Sequence, residues 1–577
     1  MDELSPHEIG PHRRRRIAPS IPIVVAMLAL GIFFYLPLAL LIARGMFGGG
    51  SFHFGAFLEI FASRYLRGIV LFTIEQALLS TILSIVIGFP MGYLLSVYDF
   101  PGRRLLKAFT AVPFALPAIT VALGFVIVFG NNGAFNRGIM ALFGLSAPPI
   151  RILYSLKGIL IAHAFYNAPI IARFVSSTWE RLPQHYAESA RSLGAPRRRI
   201  FIDITLPMLA PSIASGATLA FIYSFLSFPI VLILGGARFT TIEVEIYRRA
   251  IVETNYTGAA ALATLELILA LLFTFAYLGI ERRYARRTRP GGPRVGRPLF
   301  RSGAHRHLIE RFALCLFLIA YLVLFMGPIV GVIVNSLTRL EGGGVVFTLS
   351  WYREILQPHY SSLIAASPLK SIGNSLLFAG SSAAIALVLG TIVGAALTFR
   401  NLPSKKLIET MVMAPLGVSP VALGFAYLWV FARPPMRISG TSMAIIIVHS
   451  ILAVPFVIRA LRPALSRIES RFGEAARSLG ASRFRSSIDV VLPLARGAFT
   501  TAAVFAFAVS IAETSATLML TRPDLLTMPI AIYYLLSGRQ FGAASAMGVL
   551  LIAVIAISFV VIERLGAGKI GGTDGRD

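Results

Sequence analysis

The sequence predicts an all-α, polytopic membrane protein with about 12 transmembrane helices in two parallel six-helix repeats. Three observations lead to this prediction. Hydrophobic residues make up 56% of the 577-residue chain and charged residues only 14%, which is unlike an ordinary soluble domain. Apolar runs of about 20 residues or more, the length that a bilayer demands, follow one another along the chain. One polar segment also occurs twice, because 474 − 188 = 286 and 480 − 194 = 286 for its matching residues.

The charge pattern argues against a nucleic-acid-binding protein, and the cysteine content excludes disulfide bonds within the chain and cysteine-based metal sites. The formal net charge is +27, but the arginines lie in clusters between apolar runs instead of on a basic face of their own, so we expect no nucleic-acid partner. Cys315 is the single cysteine, which excludes an intramolecular disulfide and a cysteine-based metal site.

The order of the segments follows from the apolar runs and the charge clusters. The first apolar run is too long for the core of a signal peptide, so we interpret it as an uncleaved first span. The segment between the halves is rich in Arg, Gly and Pro and cannot bury a core. The predicted segments are a cytosolic tail at 1–16, a first repeat at 17–281, a cytosolic linker at 282–307, a second repeat at 308–563 and a cytosolic tail at 564–577.

Each repeat contains six predicted spans. Those of the first lie at 17–43, 69–97, 105–130, 153–178, 205–234 and 257–280. Those of the second lie at 308–336, 369–399, 406–432, 441–461, 491–519 and 541–562. Lys and Arg concentrate on one set of loops, which places those loops and both termini in the cytoplasm of a plasma-membrane protein. Arg238, Arg248 and Arg249 are exceptions, on the outer side.

The repeated polar segment covers residues 186–207 (YAESARSLGAPRRRIFIDITLP) and 472–493 (FGEAARSLGASRFRSSIDVVLP). Three positions of each copy share one face of a short helix, namely Tyr186, Ala190 and Leu193, and Phe472, Ala476 and Leu479. Gly194 and Gly480 suit a left-handed helix C-cap. A basic loop that only follows the charge bias is the alternative. That bias, however, does not require Glu, Ala and Gly at fixed offsets.

This E-x-A-x-x-x-G pattern, with Leu-Pro further along, resembles the motif of binding-protein-dependent ABC importer permeases. The matching residues are Glu188, Ala190 and Gly194 in the first copy, and Glu474, Ala475, Ala476 and Gly480 in the second. Ser189 departs from the alanine that the family usually has. The resemblance implies a type I ABC importer permease fold with coupling helices near 184–196 and 470–482. Two motifs in one chain resemble the fused permeases of thiamine and ferric-iron importers.

The resemblance also implies partners and cargo. We expect two ABC ATPase subunits, an extracytoplasmic solute-binding protein and the lipid bilayer as partners. Thiamine or ferric iron is the expected cargo, since 234–247 resembles thiamine permeases and 521–529 resembles ferric-iron permeases. The nearest Walker-like string ends in Lys569 and lacks both the first glycine and the Ser or Thr of an ATP site. We therefore expect no cofactor, no metal and no enzyme activity in this chain, with ATP and Mg bound by the partner subunit.

Polar residues at membrane depth are costly and usually face a cavity or the bundle interior. We predict a translocation path between the halves at Gln76, Asn167, Ser227, Asn374 and Glu513. Glu513 has Ser227 as its counterpart, because 513 − 286 = 227, and such asymmetry suits recognition of one substrate. Glu75 and Glu266 are further intramembrane candidates, whereas we expect His163 and His449 to pack between helices.

Two other functions are compatible with parts of this pattern. A 12-span ion-coupled secondary transporter also uses two parallel six-span repeats, but it does not explain the repeated Glu-Ala-Gly segment. A membrane enzyme would need a nucleophile–base pair or a metal set, and no such pattern stands out.

Overall fold

A computed structural model of the chain describes residues 21–46, 55–110, 116–236, 238–285, 297–298, 308–341, 344–357, 368–399, 402, 404–468, 472, 475–476, 478–486, 489–490 and 492–566. The predicted tail at 1–16 lies outside the described residues, as do most of the linker at 282–307 and nearly all of the tail at 564–577.

The first half is built almost wholly from helices. They are α1 (Ile21–Leu30), α2 (Leu36–Met46), α3 (Gly55–Ala62), α4 (Arg64–Val97), α5 (Arg103–Phe109), α6 (Ala118–Phe129), α7 (Ala134–Phe143), α8 (Leu156–Trp179), α9 (Gln184–Ser192), α10 (Arg197–Ile200), α11 (Leu206–Phe225), α12 (Pro229–Leu234), α13 (Ile242–Tyr247) and α14 (Tyr256–Ala285). Single π-helical turns lie at Gly31–Tyr35, Phe201–Thr205 and Arg248–Val252.

The second half follows a similar order. Its helices are α15 (Leu308–Ser336), α16 (Ser350–Ile355), α17 (Pro368–Phe399), α18 (Lys405–Met413), α19 (Pro420–Val430), α20 (Ser442–Arg467), α21 (Arg483–Ser486), α22 (Leu492–Leu494), α23 (Arg496–Ala512), α24 (Ser515–Leu520), α25 (Met528–Ser537) and α26 (Phe541–Gly566). A 3-10 turn at Ala414–Gly417 joins α18 to α19.

Helix starts recur at equivalent positions of the two halves. Ser155 caps α8 by accepting a hydrogen bond from the backbone N–H of Gly158, and Thr441 caps α20 in the same way from Ala444. The two caps are 441 − 155 = 286 residues apart. Because a side-chain oxygen at this position satisfies an otherwise unpaired N–H, both copies begin this helix at the same point.

Ten helical segments of the described residues are long and apolar enough to cross a bilayer, and an eleventh follows if Lys405–Gly417 and Pro420–Val430, bent by 96°, form one span. The predicted span at 491–519 differs from the others. It is divided into α23, of 17 residues, and the short α24, which meet at Glu513. Helices of the described residues thus lie at all twelve predicted positions, but the positions 105–130, 205–234, 406–432 and 491–519 each hold at least two separate helices.

Two small β-elements depart from the all-α prediction. Strands β1 (Tyr98–Asp99) and β2 (Arg297–Pro298) pair in parallel. Strands β3 (Thr338–Glu341) and β4 (Gly344–Phe347) form an antiparallel hairpin. The hairpin lies in the long loop between α15 and α17. There the chain leaves the apolar spans, so period-2 pairing can replace the helix.

Equivalent glycines let helices pack closely in each half. A Cβ on Gly92 of α4 would lie 2.7 Å from the Cβ of Val175 on α8. A Cβ on Gly390 of α17 would lie 2.5 Å from Cγ1 of Val457 on α20. In a bilayer the hydrophobic effect does not drive helices together, so their association depends on the close van der Waals packing that small residues allow at a crossing. The pairs α4–α8 and α17–α20 are therefore the corresponding central crossings of the two repeats.

This packing can be tested with two substitutions on one helix. We expect Gly390→Val to lower the melting temperature of the detergent-purified protein by several degrees, because overpacking costs about 1–3 kcal/mol. Gly394→Val on the same helix is the matched control, since nothing lies within 4 Å of a Cβ there. Equal melting temperatures for the two variants would contradict the close crossing.

Candidate functional site

The first repeated segment folds into α9 followed by a tight turn. The N–H of Ala195 donates to the carbonyl of Ala190 at 3.0 Å, and that of Gly194 to the carbonyl of Arg191 at 2.9 Å. Gly194 has φ of +80°, and nothing lies within 4 Å of a Cβ there. Glycine therefore suits this position because of the left-handed backbone and not because of crowding.

The second copy closes in the same way. Residues 472, 475–476 and 478 are helical, whereas Glu474 lies outside the described residues. The N–H of Ala481 donates to the carbonyl of Ala476 at 3.0 Å, and that of Leu479 to the carbonyl of Ala475 at 3.1 Å. Gly480 has φ of +90°. Both segments thus end in one hydrogen-bonded turn, which holds the two helix ends in the same shape.

Each segment presents two large apolar side chains at its surface. Leu193 is 88% exposed and Leu479 is 90% exposed, while Tyr186 and Phe472 are 50% and 51% exposed. Ala190 between them is half-buried, and Glu188 is exposed. We call Tyr186 with Leu193, and Phe472 with Leu479, the two apolar knobs. An apolar pair on a rigid helix end is a surface that a groove of a partner protein can bury.

Ion pairs brace the chain beside each knob. Glu180, at the end of α8 just before α9, accepts from Arg103 at 3.0 Å and from Lys107 at 3.0 Å. In the second half the charges are reversed, since Glu409 on α18 pairs with Arg462 on α20. Such half-exposed pairs add little to the free energy of unfolding. Their effect is instead to orient the helix that leads into each knob.

The predicted path residues Gln76 and Asn167 meet at one serine. Nε2 of Gln76 donates to the backbone carbonyl of Ser224 at 2.9 Å, and Nδ2 of Asn167 donates to Oγ of Ser224 at 2.9 Å. Both amides are buried, and they fasten α4 and α8 to α11. Ser227 follows in the turn before α12 and is 8% exposed. These contacts are interhelical packing contacts, and a role in the path stays a prediction.

Asn374 joins α17 to the turn that precedes α25. Its Nδ2 donates to the backbone carbonyls of Asp524 at 3.2 Å and Leu526 at 2.9 Å. The next residue, Ser375, accepts a hydrogen bond at 2.8 Å from the N–H of Met528, the first residue of α25. Both contacts hold the start of α25 against α17.

The first half uses a matching contact at the start of α13. The N–H of Ile242 donates to Oγ1 of Thr73 on α4 at 3.0 Å. Ile242 and Met528 are equivalent, since 528 − 242 = 286. In both halves a hydroxyl of the long second span thus supports the start of a short outer helix, whose first N–H groups lack helical partners.

Glu513 lies where α23 ends and α24 begins. Its Oε1 accepts hydrogen bonds from the N–H groups of Ser515 at 2.8 Å and Ala516 at 3.0 Å, and its Oε2 accepts one from the N–H of Thr517 at 3.0 Å. Nε2 of His449 lies 3.5 Å from Oε2. The sequence did not place a partner beside this carboxylate, and His449 lies there because the bundle brings α20 against the break.

The two intramembrane histidines pack between helices. Nδ1 of His163 lies 2.9 Å from Oγ of Ser80 on α4. Nδ1 and Nε2 of His449 lie 2.8 Å from the hydroxyls of Ser510 and Thr517, respectively. Interhelical hydrogen bonds of this kind are a common role for polar side chains in membranes.

The junction of the two halves contains a buried acidic pair that the sequence did not bring together. Oγ of Ser419, which caps α19, donates to Oε1 of Glu243 on α13 at 2.6 Å. Glu266 on α14 interacts electrostatically with Glu243, and both side chains are fully buried. Oε2 of Glu243 has no hydrogen-bond partner among the described residues, and the carboxyl group of Glu266 also interacts with the hydroxyl of Ser419. Glu243 was missed because it follows an outer turn and belongs to no apolar span.

The outer basic exceptions Arg248 and Arg249 are neutralised locally. Glu245 accepts hydrogen bonds at 2.7 Å from Nη2 of Arg248 and at 2.9 Å from Nε of Arg249. Burial raises the pKa of the Glu245 carboxyl, but these two guanidinium groups hold its pKa below the ordinary value. Paired arginines need not obey the charge bias of the loops.

Comparison with protein families gives two matches in this chain. Residues 84–289 and 386–569 each match the family described as binding-protein-dependent transport system inner membrane component. One match lies in each half.

The chain is also similar to individual proteins that are named as transport system permeases. The chain is 29% identical over 561 residues to the thiamine transport system permease protein ThiP of Brucella abortus (strain 2308), covering 95% of this chain and 97% of that protein. It is 27% identical over 268 residues to the putative 2-aminoethylphosphonate transport system permease protein PhnU of Salmonella paratyphi A (strain ATCC 9150 / SARB42), covering 46% of this chain and 93% of that protein. A chain in the crystal structure of a bacterial ABC transporter involved in the import of the acidic polysaccharide alginate is 21% identical, with a TM-score of 0.37, over 46% of this chain and 94% of that chain.

The helix break at Glu513 can be tested by a graded series. We expect Glu513→Gln to lower the melting temperature of the purified protein, because one carbonyl oxygen cannot accept all the hydrogen bonds that the carboxylate accepts. Glu513→Ala removes every acceptor, and the added cost is about 1–3 kcal/mol. Glu59→Ala, an exposed glutamate on α3, is the control. A Glu513→Ala protein that melts with the wild type would contradict the capping role.

Proposed function

The chain belongs to the family of binding-protein-dependent transport system inner membrane components, with the family's domain present once in each half, and on this premise we propose how it works. It is the membrane subunit of an ATP-driven importer, and each repeat carries one docking helix for an ATPase subunit. A separate binding protein delivers a small solute to the outer face.

The two apolar knobs are the observation that carries this proposal. Leu193 and Leu479 are exposed to nearly the same extent, 88% and 90%, at the ends of segments that share one turn geometry. Two equal knobs fit two copies of one groove, as a pair of ATPase subunits would offer. We assign ATPase coupling to the residues of these segments, namely Tyr186, Glu188, Ala190, Gly194, Phe472, Glu474, Ala475, Ala476 and Gly480.

Each knob is connected through a few residues to the fifth span of its repeat, so a movement of the knob would move that span. The first precedes α10, a π-helical turn and α11, so movement of the knob reaches the fifth span directly. In the second copy, α21 and a π-helical pair at 489–490 lie between the knob and α22. ATP-driven closure of two ATPase subunits would therefore move both repeats together. ATP and Mg bind those subunits, and this chain carries no cofactor and catalyses no reaction.

The family membership favours this mechanism over an ion-coupled carrier. Both classes use paired six-span repeats. The second class, however, has no use for two exposed apolar knobs with a motor-docking motif. The cytoplasmic side is the side of the knobs, because Arg197 to Arg199 and Arg485 follow them in sequence. Both chain termini are placed on that side by the same charge bias.

Thiamine is the cargo that we propose. The relative named for thiamine transport aligns with 95% of this chain, whereas the one named for 2-aminoethylphosphonate aligns with 46%. Ferric iron, the other cargo that the sequence suggested, has no support from the relatives described above. 2-Aminoethylphosphonate is retained as a competitor in the uptake test below.

The knobs are tested by substituting both exposed leucines. We expect Leu193→Ser combined with Leu479→Ser to abolish co-purification of the ATPase, because each buried leucine contributes about 1.5–3 kcal/mol to an interface. Leu142→Ser on α7 is the control, since Leu142 is 78% exposed away from both knobs. Full ATPase stoichiometry in the double variant would refute the assignment.

The energy source and the cargo are tested together in proteoliposomes that contain the permease, its ATPase and its binding protein. Uptake of radiolabelled thiamine should require ATP and persist when an ionophore collapses the proton and sodium gradients. Excess 2-aminoethylphosphonate should not compete. Uptake that stops with the ionophore would instead support the ion-coupled carrier, and inhibition by 2-aminoethylphosphonate would replace the cargo.

A further inference from the structure

A groove lies between the first span of the first half and the start of the third predicted span of the second half. Its volume is about 470 Å³. The lining is apolar and comes from α1, the following π-helical turn and α18, and it includes Ile23, Val24, Met27, Gly31, Ile408 and Met411. The hydroxyl of Tyr35 donates to the backbone carbonyl of Met411 at 2.7 Å, which holds α18 against the first span. We call this space the wide groove.

A second groove joins the halves in the opposite sense. It lies between α15 of the second half and the end of α4 with α5 of the first half, and its volume is about 290 Å³. The wall from the first half includes Leu94, Gly102 and Leu105. The wall from α15 consists of Leu314, Cys315, Leu318 and Leu322. We call this space the narrow groove.

The two grooves occupy equivalent places in the repeats. Phe34 and Pro37 of the first span match Phe325 and Pro328, because 325 − 34 = 291 and 328 − 37 = 291. At this offset the α15 residues of the narrow groove correspond, in order, to four residues that line the wide groove, namely Ile23, Val24, Met27 and Gly31. The narrow groove is smaller because it has a leucine where the wide groove has Gly31. The same face of both first spans thus forms a groove with the other repeat.

Both grooves open to the outside of the bundle. Val24, Leu28 and Leu105 line them and are exposed. The segments Ile21–Met46 and Phe312–Ser336, which carry the walls from the first spans, are long and apolar enough to cross a bilayer. Exposed apolar side chains of such segments contact lipid, and an unfilled groove would lose van der Waals contacts along its walls. The occupant that fits both grooves is therefore an acyl chain of the surrounding bilayer.

The start of α18 supplies positive charge beside the wide groove. Lys405 and Lys406 open this helix, and Lys405 lies one turn before Ile408 on the same face. Glu409, next to Ile408, is paired with Arg462. The two lysines therefore leave this end of the groove positively charged. In the orientation proposed above it is the cytoplasmic end, where basic residues beside a span attract anionic lipids.

The start of α5 gives the narrow groove a similar end. Gly102 lines this groove, and Arg103 and Arg104 follow it directly. Arg103 and Lys107 share Glu180 as their partner, whereas Arg104 is exposed. Three basic residues thus accompany one acid, so positive charge remains. Each groove therefore combines apolar walls with a basic end, which complements the two parts of an anionic phospholipid.

We propose that each groove binds one anionic phospholipid, with an acyl chain between helices of the two repeats and the phosphate headgroup at the basic start of α5 or α18. Basic pockets between spanning helices on the cytoplasmic side suit such headgroups. A chain in either groove contacts both repeats, so its binding stabilises their arrangement in this structure. The proposal uses the membrane orientation proposed above, but it depends on neither the ATPase nor the cargo.

Native mass spectrometry counts the lipids that the detergent-purified chain retains from an equal mixture of phosphatidylglycerol and phosphatidylcholine. We expect two phosphatidylglycerol molecules on the wild type and one on Gly31→Trp, because the indole would fill the wide groove. Gly380→Trp on α17 is the matched control and should retain two. At both glycines nothing lies within 4 Å of a Cβ, so neither substitution clashes at that atom.

The single cysteine reports on the narrow groove. At a lipid concentration about ten times the dissociation constant, phosphatidylglycerol should slow the modification of Cys315 by N-ethylmaleimide about tenfold, because only unoccupied grooves react. Phosphatidylcholine should not slow it. The modified protein should retain one lipid, whereas Cys315→Ala treated with the same reagent should retain two.

Neutral substitutions of the lysines test the headgroup contact. In protein modified at Cys315, so that only the wide groove is titrated, Lys405→Gln combined with Lys406→Gln should weaken phosphatidylglycerol binding about tenfold, because each basic residue near the membrane surface adds to the attraction of anionic lipid. Lys370→Gln, at an exposed position near the start of α17, is the control and should not weaken it.

Three results would overturn the proposal. They are equal retention of phosphatidylglycerol and phosphatidylcholine, two phosphatidylglycerol molecules on Gly31→Trp, and a membrane polypeptide that co-purifies with the wild type but not with Gly31→Trp. The last result would assign the wide groove to another protein. All these measurements use the permease alone, so a failure of ATP-driven uptake would refute the proposed importer and leave the lipid result unchanged.

Discussion

Backbone hydrogen bonding inside the bilayer constrains this protein more than any other interaction. Lipid offers no partner to an open N–H or C=O group, so a spanning segment must be helical or must satisfy its breaks with side chains. The breaks here are satisfied in this way. Glu513 accepts from the N–H groups that open α24, and Ser419 caps α19. Thr73 and Ser375 accept from the first N–H of α13 and α25.

These helix breaks determine where polar side chains can lie at membrane depth. An unbroken apolar helix presents no free polar group at membrane depth, whereas a break requires a polar side chain beside it. Ser419 serves two purposes, because it caps α19 and also donates to Glu243 of the other half. The buried acids thus lie where broken helices of both repeats meet. Ser419 therefore both satisfies a backbone N–H group at a helix break and joins the two repeats.

Because the chain is duplicated, its two exposed segments are alike. The residues at the junction of the two halves, in contrast, differ between the repeats. The knobs at Leu193 and Leu479 remain alike in turn geometry and exposure, as docking to two copies of one partner requires. At the junction of the halves the repeats differ, because Glu243 contacts Ser419 of the second half, whereas the position that corresponds to Glu243 in the second repeat is Pro529. In the proposed importer, two identical ATPase subunits require equal docking segments, whereas a small asymmetric solute requires different residues from the two repeats. The segments that carry Leu193 and Leu479 and the residues at the junction of the halves meet these two requirements separately.

The sequence by itself determined the all-helical membrane character, the duplication and the left-handed turns at Gly194 and Gly480, whereas it predicted twelve spans where the described residues hold ten or eleven helices of spanning length. Span length, hydropathy and glycine conformation are local properties that a linear pattern records. Only the tertiary structure decided which polar groups meet. Gln76 bonds Ser224 from 148 residues away and Ser419 bonds Glu243 from 176 residues away. Such pairings, like the closure of Glu513 onto its own helix break, depend on how the helices pack, and no periodicity in the chain encodes that packing.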